Sequence, residues 1–145
     1  MLPDRPPFLT YRMPLRSRYS ETDKMGVVYH SRYLEYFEVV RTEFVREAGL
    51  PYAEMENRGV MLPVANVQIS YKKPIRYDEL MDARLQIFDE PVVRLTTFYD
   101  IRPAGSKEIH VIGKVDLVFV DVDSRKPVRA PKDFLNKIRD YAEMA

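Results

Sequence analysis

The chain has 145 residues, enough for one domain with a sizeable hydrophobic core. Its 23 lysines and arginines balance 22 aspartates and glutamates, so the charge gives no argument for binding nucleic acid or an anionic membrane. The absence of cysteine excludes disulfides, thiolate nucleophiles and cysteine zinc sites. The two histidines, His30 and His110, fall on different predicted elements, so we predict neither a metal nor a cofactor.

The N-terminal segment 1–10 is rich in proline and lacks the apolar run of a signal peptide. We predict that it forms an extended arm on a single domain spanning 1–145. No window approaches the roughly 18 apolar residues that a membrane span requires. We therefore expect a cytoplasmic protein without a membrane span.

Residues 11–19 alternate strictly between the two sides of an extended chain, which predicts a strand with one buried face. Pro14 lacks a backbone donor and favours an edge position for this strand. The segment that follows, 20–29, is predicted to be a turn.

The next element is a long helix. Apolar and aromatic residues recur at three- and four-residue steps from Tyr33 to Ala48. Ser31 lies where its hydroxyl would cap the first turn, and Gly49 lies where a left-handed residue ends a helix. Because the apolar stripe is wide and aromatic, we expect a sheet to enclose this helix.

Four alternating segments and a short final helix complete the chain. Turn signals between the segments predict antiparallel neighbours. The segments are 66–72, 83–87, 93–101 and 109–119, and the helix is 132–141. We predict an α+β fold in which an antiparallel sheet of about five strands wraps around one long central helix.

The second face of the predicted sheet carries apolar residues among charged ones, namely Phe98, Ile112, Val118 and Val120. Such a face is too apolar for full solvation. Either the N-terminal arm or the final helix covers these residues, or this face or an edge strand is an oligomer contact.

Several common chemistries have no motif in this chain. There is no G-x-S-x-G sequence to support a nucleophilic serine, and neither phosphate-binding glycine motif occurs.

Asp23, in the turn before the long helix, has two interpretations. An aspartate in a turn commonly bonds nearby amides. Alternatively, Gly26 permits a close backbone approach, and residues 27–30 lead to helix N–H groups that are unpaired and carry partial positive charge. Such donors suit an oxyanion that develops on a thioester or ester carbonyl. The residue pattern alone leaves both interpretations open.

A family resemblance favours the second interpretation. Residues 21–30, Glu-Thr-Asp-Lys-Met-Gly-Val-Val-Tyr-His, and the segments 33–38 and 41–43 resemble the hot-dog-fold acyl-CoA thioesterases. The similarity is greatest to the 4-hydroxybenzoyl-CoA thioesterase family, in the branch that includes the Tol-Pal-associated acyl-CoA thioesterases. The resemblance implies dimers that join their sheets edge to edge, active sites at the dimer interface, and often a homotetramer of two dimers.

The resemblance also implies roles for individual residues. Asp23 matches the catalytic carboxylate, as nucleophile or as base for water. His30 falls where a backbone N–H polarises the thioester carbonyl and where the imidazole assists. Gly26 matches the glycine of the turn, and we group it with Val28 and Tyr29 as substrate-binding.

The resulting prediction is hydrolysis of a small or medium acyl-CoA, aliphatic or aromatic, to the free acid and coenzyme A. Three cations, Lys72, Lys73 and Arg76, and a second group, Arg125, Lys126 and Arg129, either meet the phosphates of coenzyme A or are ordinary solvated side chains. The alternative function is non-catalytic binding of acyl-CoA or of acyl carrier protein on the same fold. No nucleic acid partner is predicted.

Overall fold

The computed structural model describes residues 1–144, which are organised around one antiparallel sheet. Its strands are β1 (Leu9–Arg16), β3 (Val64–Tyr71), β4 (Leu80–Ile87), β5 (Arg94–Pro103) and β6 (Val111–Val118). The other elements are a small ribbon of β2 (Val60–Met61) and β7 (Val120–Asp121) and the helices α1 (Tyr33–Ala48), α2 (Tyr52–Asn57) and α3 (Lys132–Met144). The strand order β1-β4-β5-β6-β3 makes β1 and β3 the two edges of the main sheet.

The long helix α1 packs against one face of this sheet through an aromatic stripe. The buried residues of the stripe are Tyr33, Tyr36, Phe37, Val40 and Phe44. The ring of Phe37 stacks on that of Tyr99 in β5, with 4.6 Å between their centroids and 16° between their planes. The predicted α+β architecture, a five-stranded antiparallel sheet around one long helix, is confirmed.

The sequence predicted the C-terminal end of α1 correctly but not its N-terminal cap. Gly49 ends the helix in the left-handed conformation, with φ of 65°, as predicted. The prediction that Ser31 caps the helix is wrong. Residues His30–Arg32 form a short 3-10 turn that leads directly into α1, and the N-cap is Arg32, which makes no side-chain capping bond. The helical path begins too early for the Ser31 hydroxyl to serve as a cap.

The two edge strands differ in their chemistry. β1 begins at Leu9, inside the segment predicted as the arm, and ends at Arg16 rather than at residue 19. It carries Pro14 in its middle and arginines on both sides of it. β3 contains no proline and no charged residue. Val67 and Tyr71, expected on the buried face of a strand, are 37% and 50% exposed because β3 is the last strand of the sheet.

Three short elements of the structure were not predicted. These are α2 and the paired strands β2 and β7, which the alternation of apolar residues does not reveal because each is very short. The final helix α3 runs three residues beyond its predicted end. It buries Phe134 and Ile138, and Phe134 meets Phe119 edge-on with 5.1 Å between ring centroids.

The N-terminal arm and charged side chains cover apolar residues on the second face of the sheet. The Arg5 guanidinium lies over the Phe88 ring, 5.5 Å from its centroid, and Phe88 packs edge-on against Phe98. The Lys114 ammonium lies 5.8 Å from the centroid of the Phe98 ring. The arm thus contacts Phe88, a neighbour of Phe98, whereas α3 packs on the core side through Phe134. Cover of Phe98, Ile112, Val118 and Val120 by the arm itself stays a prediction. An oligomer contact at this face stays a prediction.

Gly113 in β6 is the position that lets α1 approach the sheet. A Cβ atom at this residue would overlap the ring of Phe37. The Phe37 ring therefore occupies the volume that any other residue would fill with its own side chain, which allows the stacking on Tyr99.

We expect Gly113→Ala to lower the free energy of unfolding by about 1–3 kcal/mol, because the added methyl group must displace the Phe37 ring. Urea unfolding of the two chains measures the difference. Combining Gly113→Ala with Phe37→Leu should cost less than the sum of the two single changes, since the smaller side chain leaves room for the methyl. Strict additivity would show that the contact between these residues does not set the spacing.

Candidate active site

The turn between β1 and α1 presents Asp23 to solvent and fixes the direction of its carboxylate. Oδ1 accepts the N–H of Met25 at 2.8 Å and that of Val27 at 3.4 Å. Gly26 closes the turn with φ of 76°, a conformation that favours glycine. Among the hydrogen bonds of residues 1–144, none uses Oδ2 of Asp23. One carboxylate oxygen therefore holds the turn together while the other faces outward.

This turn is also tied to the segment that precedes β4. The Val28 N–H donates to the Ile75 carbonyl at 2.7 Å, and the Tyr77 N–H donates to the Gly26 carbonyl at 2.9 Å. Val28 and Ile75 are both buried. The segment between β3 and β4 thus holds the Asp23 turn in place.

Glu21, which the sequence reasoning missed, is a second carboxylate in this region, only 4% exposed. Its Oε1 accepts the Arg18 N–H at 2.7 Å and the Tyr36 hydroxyl at 2.8 Å, while Oε2 pairs with the Arg18 guanidinium at 3.1 Å. Burial alone would raise the pKa of Glu21, but these donors outweigh it and hold the pKa below its ordinary value. Burial and the bond to Glu21 strongly raise the pKa of Tyr36. Glu21 therefore fastens the turn to the central helix.

The N–H groups of His30 and Ser31 lie at the start of the 3-10 turn that leads into α1. No hydrogen bond among residues 1–144 uses either N–H. The two carbonyls next to them are occupied, because Tyr29 accepts the Arg32 N–H at 2.9 Å and His30 accepts the Tyr71 hydroxyl at 2.9 Å. These two amides are the unpaired donors that the sequence predicted at the helix start.

A cavity of about 280 Å³ opens beside these amides. Aromatic and aliphatic side chains form one part of its wall and two lysines another. Burial raises the pKa of Tyr33, one of its wall residues, to about 12, so this hydroxyl stays protonated at neutral pH. The lining residues are Val28, His30, Tyr33, Tyr71, Lys72, Lys73 and Pro74.

Asp23 lines a different cavity, of about 580 Å³, whose other lining residues are Tyr19, Thr22, Lys24, Gly26 and Tyr77. The structure of a single chain therefore brings His30, Val28 and the two lysines together, whereas Asp23 and Gly26 line a separate cavity. Along the chain between them, Val27 forms a bridge with Arg76 and Val28 is bonded to Ile75. Tyr29 is exposed and lies against the His30 ring, with 4.2 Å between centroids.

The three predicted phosphate-binding cations are arranged unequally. Lys73 forms a salt bridge with Glu108 at 2.8 Å, and the carboxylate partly neutralises the charge of the lysine. Lys72 and Arg76 form no salt bridge within the described part of the chain. Lys72 lines the His30 cavity, and Arg76 lines neither cavity. Lys72 is therefore the cation best placed to meet an anionic group at the mouth of the 280 Å³ cavity.

The second histidine has local contacts away from Asp23. The Nδ1 of His110 lies 3.1 Å from the Pro74 carbonyl, and its Nε2 lies 3.5 Å from Glu108. Within residues 1–144, no cluster of three or more histidine, aspartate or glutamate side chains could hold a metal ion. No helix in the same residues is both long and apolar enough to cross a membrane.

Comparison with known proteins gives the class to which this fold and turn belong. Residues 17–138 match the Thioesterase-like superfamily. The chain therefore belongs to that superfamily, and the predicted hot-dog thioesterase domain is confirmed.

Individual relatives agree with this assignment. The chain is 40% identical over 118 residues to the candidate acyl-CoA thioesterase YneP of Bacillus subtilis, covering 81% of this chain and 84% of that protein. It is 29% identical to the acyl-CoA thioesterase YbgC of Haemophilus influenzae, covering 85% and 90%. The crystal structure of a DHNA-CoA thioesterase from Staphylococcus aureus superposes with a TM-score of 0.79 at 31% identity, covering 93% and 90%.

We expect Glu21→Gln to lower the free energy of unfolding at pH 7 by about 2 kcal/mol, because the bonds to Arg18 and Tyr36 lose their charge. The folded-state pKa of Glu21 lies below its ordinary value of 4.5, so its stabilisation is complete above that pH. The stabilisation then decreases as the pH falls through the folded-state pKa. The difference between variant and wild type should decrease over the same range.

Urea unfolding at a series of pH values measures this dependence. Glu35→Gln is the matched control, since Glu35 is exposed and makes a surface pair with Arg32. A difference between wild type and Glu21→Gln that stayed constant from pH 7 to pH 3 would contradict the assigned charge.

Proposed function

We propose that this protein is an acyl-CoA thioesterase that hydrolyses a small or medium acyl-CoA, aliphatic or aromatic. One observation carries the proposal. In a member of the Thioesterase-like superfamily, an exposed carboxylate in a hydrogen-bonded turn precedes, along the chain, two unpaired amides at the start of the central helix. A carboxylate and amide donors are the groups that acyl transfer to water requires.

In the proposed reaction the thioester carbonyl lies against the N–H groups of His30 and Ser31. Asp23 either attacks the carbonyl carbon or takes a proton from the water that does. The carbonyl electron pair moves onto oxygen, where the two amides and the partial positive charge of the helix start stabilise it. When the carbonyl re-forms, the carbon–sulfur bond breaks and coenzyme A leaves as a thiolate, which needs little help from an acid. If Asp23 attacked, water then hydrolyses the acyl-enzyme anhydride.

The lining of the His30 cavity supports a compact acyl group. Val28 and the rings of Tyr33 and Tyr71 give it an apolar wall, and its volume of about 280 Å³ suits a short chain or one aromatic ring. Lys72, at the same cavity, would meet a phosphate of coenzyme A. The imidazole of His30 keeps the assisting role that the family resemblance implies, and for Lys73 and Arg76 contact with the coenzyme A phosphates stays the prediction made from their charge.

A homodimer completes the proposal. β3 is an edge strand with no charge and no proline, whereas β1 at the other edge carries Pro14 and two arginines, which block strand pairing. The edge of β3 therefore suits pairing with β3 of a second copy. Tyr71, which borders the His30 cavity, is the last residue of β3, so the partner would lie next to that cavity. Assembly to a tetramer and a cytoplasmic location stay predictions.

One observation favours the alternative of a non-catalytic acyl-CoA or acyl carrier protein binder. Asp23 and His30 line separate cavities within one chain, and a binder would not require them to converge. A panel of acyl-CoAs with thiol release as the readout distinguishes the two functions. Release from at least one substrate supports the thioesterase, whereas tight binding without release from any substrate supports the binder.

We expect Asp23→Asn to lower kcat by a factor on the order of a thousand. The asparagine oxygen can still accept the Met25 and Val27 N–H groups, so the turn and the thermal stability should be retained. Thiol release with the best substrate of the panel measures the loss. Asp78→Asn is the matched control, because Asp78 is an exposed aspartate in another turn. Nearly full activity in Asp23→Asn would remove Asp23 from the mechanism.

We expect Val67→Lys to convert the dimer to monomer and to abolish thiol release, because a lysine in the middle of β3 opposes strand pairing. Sedimentation velocity reports the assembly. Thr10→Lys places the same charge on the other edge strand and should leave both properties unchanged. A Val67→Lys chain that remained dimeric, or a monomer with full activity, would contradict the proposed interface.

A further inference from the structure

Tyr71 joins the edge of the sheet to the start of the central helix. It is the last residue of β3, where it pairs with Val111 of β6. Its hydroxyl donates to the His30 carbonyl at 2.9 Å, across a sequence separation of 41 residues. Its ring meets Tyr33 at an angle of 62°, with 5.5 Å between centroids. The ring and the hydroxyl thus make separate contacts.

The hydrogen bond from the Tyr71 hydroxyl to the His30 carbonyl affects one backbone N–H, that of Ser31. The His30 carbonyl and the Ser31 N–H belong to the same planar peptide unit, so a donor that holds the carbonyl also fixes the direction of the N–H. A hydrogen bond to the carbonyl also strengthens the N–H as a donor, because bonds in a chain polarise one another. The preceding peptide unit consists of the Tyr29 carbonyl and the His30 N–H. It is held by the hydrogen bond from the Arg32 N–H to the Tyr29 carbonyl.

The two candidate oxyanion donors therefore have different anchors. The helical turn alone holds the peptide unit of the His30 N–H, whereas a side chain from the edge strand also bonds the peptide unit of the Ser31 N–H. The site of this bond is exposed enough for water to reach, since half of the Tyr71 surface is accessible. With the Tyr71 hydroxyl fixed at the His30 carbonyl, no mobile water has to reorient there when negative charge develops on the thioester oxygen.

We propose that Tyr71 is a positioning residue whose hydroxyl holds the His30–Ser31 peptide unit so that the Ser31 N–H faces the thioester oxygen. This inference rests on the proposed thioesterase function. The role belongs to the hydroxyl, because the packing on Tyr33 requires only the ring. Through this hydrogen bond, the last residue of β3 helps to set the geometry of the turn that leads into α1.

The test compares Tyr71→Phe, Tyr71→Leu and wild type by thiol release with the best acyl-CoA of the panel. Phenylalanine keeps the ring contact and loses only the hydroxyl, so kcat should fall about tenfold with KM within twofold of wild type. Leucine should lower kcat by a similar factor. The Ser31 amide proton should move upfield in Tyr71→Phe, in a ¹H–¹⁵N spectrum, as its peptide loses polarisation. Tyr141→Phe, in α3, is the control that leaves all three quantities unchanged.

Two results would overturn the inference alone. Full kcat in Tyr71→Phe with a loss only in Tyr71→Leu would assign Tyr71 to packing. A raised KM with unchanged kcat would assign it to substrate binding. The assigned role of Asp23 fails separately, if Asp23→Asn measured alongside retains full activity. Absence of thiol release from every substrate with the wild type would overturn the proposed function and this inference together.

Discussion

The packing of one helix into one sheet is the constraint on which the rest of this structure depends. α1 buries a continuous aromatic stripe, and its closest approach is made where Phe37 fills the space left by Gly113 and stacks on Tyr99. Aromatic side chains contribute much of the apolar area that such a small core buries. Every other element is placed relative to this contact, including the turn that precedes the helix.

The turn receives its position from the same packing. Tyr36 belongs to the buried stripe, yet its hydroxyl reaches out of the core to Glu21, and Glu21 in turn holds Arg18. On the other side, Val28 is bonded to Ile75 ahead of β4. The Asp23 carboxylate is therefore carried by a loop that is bonded at two places, to the helix through Glu21 and Tyr36 and to the segment ahead of β4 through Val28 and Ile75. A loop so anchored resembles an extension of the core more than a mobile connection.

Periodicity was sufficient to predict the architecture, because the helix stripe and the long strands repeat over many residues. It failed where local geometry decides. Ser31 has the chemistry of a cap but lies inside a 3-10 turn, and the apolar side of β3 proved exposed because sequence alternation does not reveal which strand is last. The motif singles out Asp23, whose catalytic role stays a proposal, whereas Glu21 and Tyr71 make contacts across 15 and 41 residues of sequence, which no local pattern records.

The unequal edges of the sheet have a consequence for how far assembly can proceed. β1, at one edge of the sheet, contains a proline and two arginines, which oppose pairing with another strand. β3, at the other edge, contains neither proline nor charge, so its free backbone donors and acceptors can pair with a further strand. If β3 pairs with β3 of a second copy, as proposed above, the two chains form one continuous sheet. Both outer edges of that sheet are then β1 strands, which oppose further pairing. The proposed association would therefore stop at two chains in this direction. In such a dimer Pro14, on the edge strand opposite β3, would oppose the addition of further chains.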